Sequence, residues 1–324
     1  MEYGDTILKL ESIMRKSKKY IYPKVGRRDF LGFRIGGAGL GNLLFTYAEA
    51  LVLSKKYEID LIWPTWGTMP LTRNDFIFWK GRDKRSYFNI FENNSKYIDG
   101  FEKAKILLTN KKIINPNDIQ KIEAGVIVVD KNPIKFTGKL YENLKPYREY
   151  IYDDLYRNLS KNNQLRIDNI NFDDGFVVQI RMDDFKKVSL EQLKQGKDNV
   201  RIPLEWFENI IKQIRKIANK NVKVYLMSDG SDRALKSIYE LGNVERFDLD
   251  NSICNILAMS KAKLMVVSGS TYSLWSRFLG QMSSISFKNQ YKEKVLYDDK
   301  NKFEIDIEEK IEEKYYSILR SYFS

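Results

Sequence analysis

The chain has 324 residues, of which 43% are hydrophobic and 30% charged, enough for two cores. It contains no run of about 18 uncharged apolar residues, and Glu2, Asp5, Lys9 and Glu11 stand where a signal peptide needs an apolar stretch, so membrane spanning and secretion are not expected. A histidine count of 0 excludes Ser-His-Asp, Cys-His and H-E-x-x-H zinc chemistry, and one cysteine, Cys254, excludes an internal disulfide and multi-cysteine metal sites. The net charge of +12 points to an anionic partner: nucleic acid, anionic lipid or a phosphate-bearing small molecule.

Across residues 15–28 stand Arg15, Lys16, Lys18, Lys19, Lys24, Arg27 and Arg28 without an acid, beside a helix-periodic apolar set of Ile7, Leu10 and Met14. This segment reads as a solvated N-terminal helix or as one lying on an anionic membrane surface. Residues 30–35 (FLGFRI) predict a strand, followed by Gly36, Gly37, Gly39 and Gly41, and then a helix over 42–57 with Leu44, Ala48, Leu51 and Val52 on one face. A strand over 59–63 stops at Pro64. The aromatic and basic stretch 75–91 reads as an irregular insertion, 125–129 as a buried strand and 141–165 as helical.

A regular alternation follows: strand 176–181, helix 203–218, strand 222–227, helix 232–241, strand 244–247, helix 252–261, strand 263–267 and helix 271–279. Residues 305–322 predict an amphipathic C-terminal helix. The fold class expected is α/β, with two Rossmann-like domains facing a cleft. The polar stretch 160–174 places the boundary at 165–166, giving an acceptor-side domain over 1–165 and a donor-binding domain over 166–324.

Four strand ends carry residues that a core does not need: 36–42, 179–184, 228–232 and 268–273. The first is a run of glycines leading to Asn42 at a helix N-terminus, where backbone N–H groups favour an anion; a tight turn alone is the alternative, but four glycines within six residues exceed what one turn requires. Arg181 ends an apolar strand just before Asp183 and Asp184, and a desolvated guanidinium needs an anionic partner, whether Asp184 or a ligand. Ser268, Ser270, Thr271 and Ser273 put four hydroxyls in six residues at a helix start, more than one N-cap explains. Two such cradles with an arginine between them suit the diphosphate of a nucleotide sugar. Asn42 stands where G-x-G-x-x-G needs its last glycine, and no G-x-x-x-x-G-K-[ST] occurs, so dehydrogenase and P-loop readings fail.

These segments resemble a known family. GLGNLLFTYAEAL (39–51) is similar to the G-L-G-N-Q-[LM]-F-Q-Y-A signature of bacterial α-1,2-fucosyltransferases, glycosyltransferase family 11. QIRMDDF (179–185) resembles its H-x-R-R-x-D-Y motif, IPLEWFENII its segment before the next helix, LMSDGSD its F-S-D-D, and NILAMSKAKLMVVSGSTYSLW its D-L-x-L-M-S-x-C-x-x-x-I-I-A-N-S-[ST]-F-S-W-W, all collinear. The resemblance implies a GT-B-like fold and metal-independent, inverting transfer from GDP-fucose, without a cofactor, to a glycan or lipid-linked glycan in surface polysaccharide synthesis. The single cysteine fits a reducing cytoplasm, a lipid-linked acceptor would suit the basic N-terminus at the inner membrane face, and with 75–91 read as an acceptor-side loop no nucleic-acid partner is expected.

By position, the resemblance makes Arg181 the essential arginine on the β-phosphate and gives Asp184 the task of orienting its loop. Gly39, Gly41 and Asn42 approach the diphosphate from the N-terminal side. Gln179, Ser228 and Asp229 belong to the donor site, Ser270, Thr271 and Tyr272 hold phosphates and ribose, and Asp248 or Asp250 accepts from guanine. The departures are Gln179 for the family histidine, Met182 for its second arginine and Asn255 for an aspartate. Asp75, Asp183 and Glu49 are the candidate bases. The rival readings are a metal-dependent enzyme using Asp248-Leu249-Asp250, a transferase with another donor, a nucleic-acid binder using 75–91, and an inactive relative.

Overall fold

The structure, a computed structural model, describes residues 18–26, 28–29, 33–35, 38–69, 87–92, 96–113, 116–131, 134–182, 185–291, 293–298 and 301–324. It divides into two compact units, Met1–Ile134 and Lys135–Ser324.

The first unit contains β1 (Lys19–Pro23), β2 (Arg28–Asp29), β3 (Arg34–Ile35), α1 (Leu40–Tyr57), β4 (Asp60–Leu61), β5 (Thr68–Met69), α2 (Gly100–Thr109), β6 (Lys112–Ile113) and β7 (Gly125–Val129). Its main sheet is parallel, in the order β4-β1-β7-β6, and β2-β3-β5 form a second, small sheet. The described part of the basic segment is therefore a central strand, not a helix. Tyr20, Ile21 and Tyr22 are buried, while Lys18 and Lys24 leave the strand ends to pair with Asp60 at 2.6 Å and Asp130 at 3.3 Å. Ile7, Leu10 and Met14 lie outside the described residues, as do 30–32 of the first predicted strand, of which Arg34–Ile35 is strand.

Helix α1 is buried on the predicted face of Leu44, Ala48, Leu51 and Val52 and on much of the remainder. It ends where Glu58 turns left-handed, at φ 54°, and its amide returns to Ser54. Of the stretch 75–91, residues 75–86 lie outside the description. Tyr87 and Phe91 serve the core: the Tyr87 hydroxyl accepts from the Leu40 amide at 3.0 Å, and Phe91 packs 5.5 Å from Trp63 and 5.2 Å from Trp66.

The second unit contains α3 (Arg148–Arg157), α4 (Lys161–Asp168), β8 (Gly175–Ile180), α5 (Leu190–Lys194), α6 (Leu204–Ala218), β9 (Lys223–Ser228), α7 (Lys236–Tyr239), β10 (Val244–Arg246), α8 (Ser252–Met259), β11 (Leu264–Val267), α9 (Thr271–Gly280), β12 (Ser283–Phe287), β13 (Lys302–Ile305) and α10 (Tyr316–Ser321). Its six strands are all parallel, in the order β10-β9-β8-β11-β12-β13. Helix α6 turns Trp206, Phe207, Ile210, Ile211, Ile214 and Ile217 onto one face of this sheet, and burial of each such side chain contributes about 1.5–3 kcal/mol. The unit begins before the expected boundary because α3 and α4 pack on α8 and α9. Arg148 Nη1 donates to the Leu279 carbonyl at 2.6 Å, and Lys261 Nζ to that of Ile167 at 2.8 Å.

The predicted C-terminal helix is mostly something else. Residues 302–305 form the edge strand β13, with Phe303 and Ile305 buried at period 2, and only Tyr316–Ser321 is α-helical. Of the predicted helix only Ile305 lies in that strand, which pairs in parallel with β12; residues 306–312 are irregular, and a 3-10 turn over Glu313–Tyr315 leads into the α-helical part. Among the described residues no helix is long and apolar enough to cross a membrane.

Candidate functional site

The first three strands of the second unit run outward from β8 to β10 and the next three return on the other side from β11 to β13, so strand order reverses between β8 and β11. Loops leaving the carboxyl ends of such neighbours diverge to opposite faces and open a crevice between them, which is where ligands of doubly wound sheets bind. Gln179, Arg181, Ser268 and Ser270 all fall at this point.

Arg181 is the first residue past β8. Its amide donates to Ser268 Oγ at 2.9 Å, and its Nη1 lies 3.1 Å from Asp229 Oδ2 with the side chain 31% exposed. Asp229, just past β9, has its other oxygen on the Met182 amide at 2.7 Å. One carboxylate thus fixes both the guanidinium and the backbone behind it. The guanidinium also lies 5.8 Å from the Phe185 ring centre. Asp184, expected to orient this loop, lies outside the described residues, as does Asp183. Met182, in place of the family's second arginine, sits against Gly230, where a Cβ would collide with its Sδ.

The turn after β11 is closed by its own hydroxyls. Ser270 caps α9 by accepting from the Ser273 amide at 3.2 Å, and Ser273 Oγ contacts the Ser268 and Ser270 carbonyls at 2.8 and 3.0 Å. Gln179 is 3% exposed, with Oε1 at the limit of hydrogen bonding, 3.5 Å from Ser270 Oγ. Thr271 opens the helix, and the Tyr272 hydroxyl donates to the Ser252 carbonyl at 2.9 Å, tying the starts of α9 and α8 together. The Ser228 side chain accepts from the Gly230 amide at 3.0 Å.

Arg246, which the sequence reading missed, braces the neighbouring loop. Its Nη2 donates to the Ser228 and Gly230 carbonyls at 2.7 and 3.0 Å, and Nη1 binds Asp232. The hydrogen bonds of Asp232 to Tyr239 and Arg246 hold its carboxyl below the usual range. Asp248 and Asp250 separate: Asp248 Oδ1 accepts from Asn255 Nδ2 at 2.8 Å and from the Asp250 amide at 2.9 Å, whereas Asp250 turns to Arg166 at 3.8 Å. The Asn255 departure fits this loop, because its amide donates to Asp248 while its oxygen accepts from the Leu249 amide at 2.7 Å. An aspartate there would oppose one carboxylate with another.

In the first unit Gly39 is the N-cap of α1 at φ −61°, and a Cβ there would meet nothing within 4 Å, so neither turn strain nor crowding requires glycine. Gly41 and Asn42 occupy the first turn, which has no acidic residue, and the buried Asn42 Oδ1 has no hydrogen-bond partner. Glu49, a candidate base, is paired with Lys131 at 2.8 Å, and Asp75 lies outside the described residues. Cys254 is buried on α8, and burial pushes its thiol up to about 11, far from a nucleophile's range. No three Cys, Asp or Glu residues among those described gather to hold a metal.

No curated protein matches the sequence. Among solved structures the chain is similar to the fucosyltransferase NodZ from Bradyrhizobium, at 15% identity over 81% of this chain and 93% of that one, with a TM-score of 0.42. It is also similar to the E. coli heptosyltransferase WaaC with ADP (12%, covering 88% and 92%, TM-score 0.43) and to POFUT1 in complex with GDP (15%, covering 84% and 99%, TM-score 0.36). The family model described as Glycosyl transferase family 11 matches residues 137–309, more than half of the chain and all of the stretch from β8 to β13. The chain belongs to glycosyl transferase family 11 and is a glycosyltransferase.

Proposed function

We propose that the chain transfers fucose from GDP-fucose to a hydroxyl of a glycan in surface polysaccharide synthesis, by an inverting displacement that needs no metal. The observation that carries this reading is Arg181 where strand order reverses, its partly open guanidinium paired with Asp229 and its backbone amide donating to Ser268. Its charge and the amides at the start of α9 are suited to the β-phosphate of the leaving GDP.

The acceptor oxygen attacks C1 of the sugar. The bond from C1 to the β-phosphate oxygen breaks, GDP leaves with its electron pair, and the hydroxyl proton passes to a carboxylate or solvent. One displacement inverts the anomeric centre.

Ser270 and Thr271 serve the phosphates and Tyr272 the ribose edge. Gln179, Ser228 and Asp229 shape the crevice, and Asp184 orients the loop. Asp248 is better suited than Asp250 to accept from guanine, because Asn255 fixes it. The first unit serves the acceptor, and Gly39, Gly41 and Asn42 at the start of α1 are its candidate anion-binding residues. A lipid-linked acceptor and the +12 charge suit work at the cytoplasmic face of an anionic membrane.

A thermal-shift panel of nucleotides and nucleotide sugars tests the donor. At 100 times its Kd a ligand stabilises by about 2.7 kcal/mol, and GDP and GDP-fucose should do so in EDTA while UDP and ADP do not. Arg181→Ala should abolish transfer and leave the unfolding midpoint nearly unchanged. Full transfer by that variant, or a shift with UDP alone, would reject the reading.

A further inference from the structure

The second unit buries a cation that transfer does not use. Arg277 lies on α9 two turns beyond Ser270, is 2% exposed, and has no hydrogen-bond partner for Nε or Nη1. Its guanidinium lies 3.9 Å from the Tyr291 ring centre, and Lys302 Nζ lies 4.4 Å from the same ring. A ring satisfies the flat face of a guanidinium and leaves its N–H edge unmet.

Among the described residues no carboxylate supplies that edge. Glu304, close enough to act electrostatically on Arg277, is paired with Lys302 at 2.9 Å. Glu293 is taken up by the amides of Thr137, Gly138 and Leu140 at 2.8, 3.0 and 2.9 Å.

The neighbouring strand adds hydroxyls to the same face. Register sets Ser284 beside Lys302 and Ser286 beside Glu304, so both serines face the side of the sheet where these groups meet Tyr291 and Arg277. Ser284 and Ser286 are 0% and 1% exposed, and their Oγ atoms have no partner, nor does Ser276 Oγ next to Arg277. Guanidinium N–H groups and hydroxyls can all donate, and a buried cation without a counter-charge is costly. The missing group is a hydrogen-bond acceptor with negative charge.

We propose that Arg277, with Ser276, Ser284 and Ser286, holds a small monovalent anion of chloride size inside the second unit. The site is separate from the donor crevice and does not depend on the donor's identity.

The test is the unfolding midpoint of the full chain in chloride and in bromide against gluconate at matched ionic strength. Crystals soaked in bromide provide a second readout. The midpoint should rise with halide and not with gluconate, and an anomalous peak should lie within hydrogen-bond distance of Arg277. Arg277→Met should remove the halide dependence. Because that variant risks misfolding, the double variant Ser284→Ala, Ser286→Ala is the second probe, and it should weaken halide dependence several-fold while folding normally. A wild-type midpoint indifferent to halide would overturn the proposal, whether the site then holds water or takes bromide at crystal concentration only.

Discussion

The placement of Arg181 depends on Asp229, whose two oxygens divide between the guanidinium and the Met182 amide. Asp229→Asn keeps an acceptor for the amide and loses the charge that aims the arginine. A hydrogen bond to a charged group contributes about 1.5–3 kcal/mol, so kcat/KM for sugar transfer should fall roughly ten- to a hundredfold with little change in the unfolding midpoint. Unchanged kinetics would show that Asp229 does not position Arg181. Arg181 itself was legible in the sequence, because a charge ending the run FVVQI cannot be explained by packing. Arg246 was not, since a lone arginine ending a three-residue strand carries no pattern, and its role appears only when β9 and β10 lie side by side.

At the scale of elements, apolar periodicity gave β7, β8, α6, β11 and α9 to within a residue or two. It failed where polar residues are buried or paired. β12 reads Ser-Ser-Ile-Ser-Phe, all buried, and resembles a loop until its two parallel neighbours are known. β1 was hidden among lysines that lie at its ends. The loop after β10 shows the same principle at work in a substitution: Asn255→Asp places a second carboxylate against Asp248. It should cost about 1–3 kcal/mol at neutral pH, and part of that cost should disappear under mild acid as the pair takes up a proton. Urea unfolding at both pH values checks this; a variant as stable as the parent at neutral pH would contradict the assigned contact.

Across the whole molecule, Tyr141, Tyr152, Tyr156, Tyr225 and Tyr239 of the second unit all have raised pKa values, burial being the largest cause for each, with Tyr156 pushed up to about 12. Unfolded tyrosines ionise near pH ~10 and the folded ones later, so the unfolded state loses protons first. This stability is fully present below pH ~10 and is lost as pH rises toward the folded values. Denaturant titrations at rising pH, read by tyrosinate absorbance, should show ionisation and unfolding advancing together. Complete ionisation near pH ~10 in a protein that stays folded would be incompatible with these environments.

The crevice is assembled from segments far apart along the chain: Arg181 meets Ser268 across 87 positions, and Met182 meets Asp229 across 47. These contacts exist only once β8, β9 and β11 are paired, so the crevice has no independent, partly formed state. Core variants should therefore lower the number of competent molecules in a preparation while leaving each survivor with the parental KM. In a cell such a defect would be felt as reduced abundance, and extra expression would compensate for it, as it could not for a lesion at Arg181.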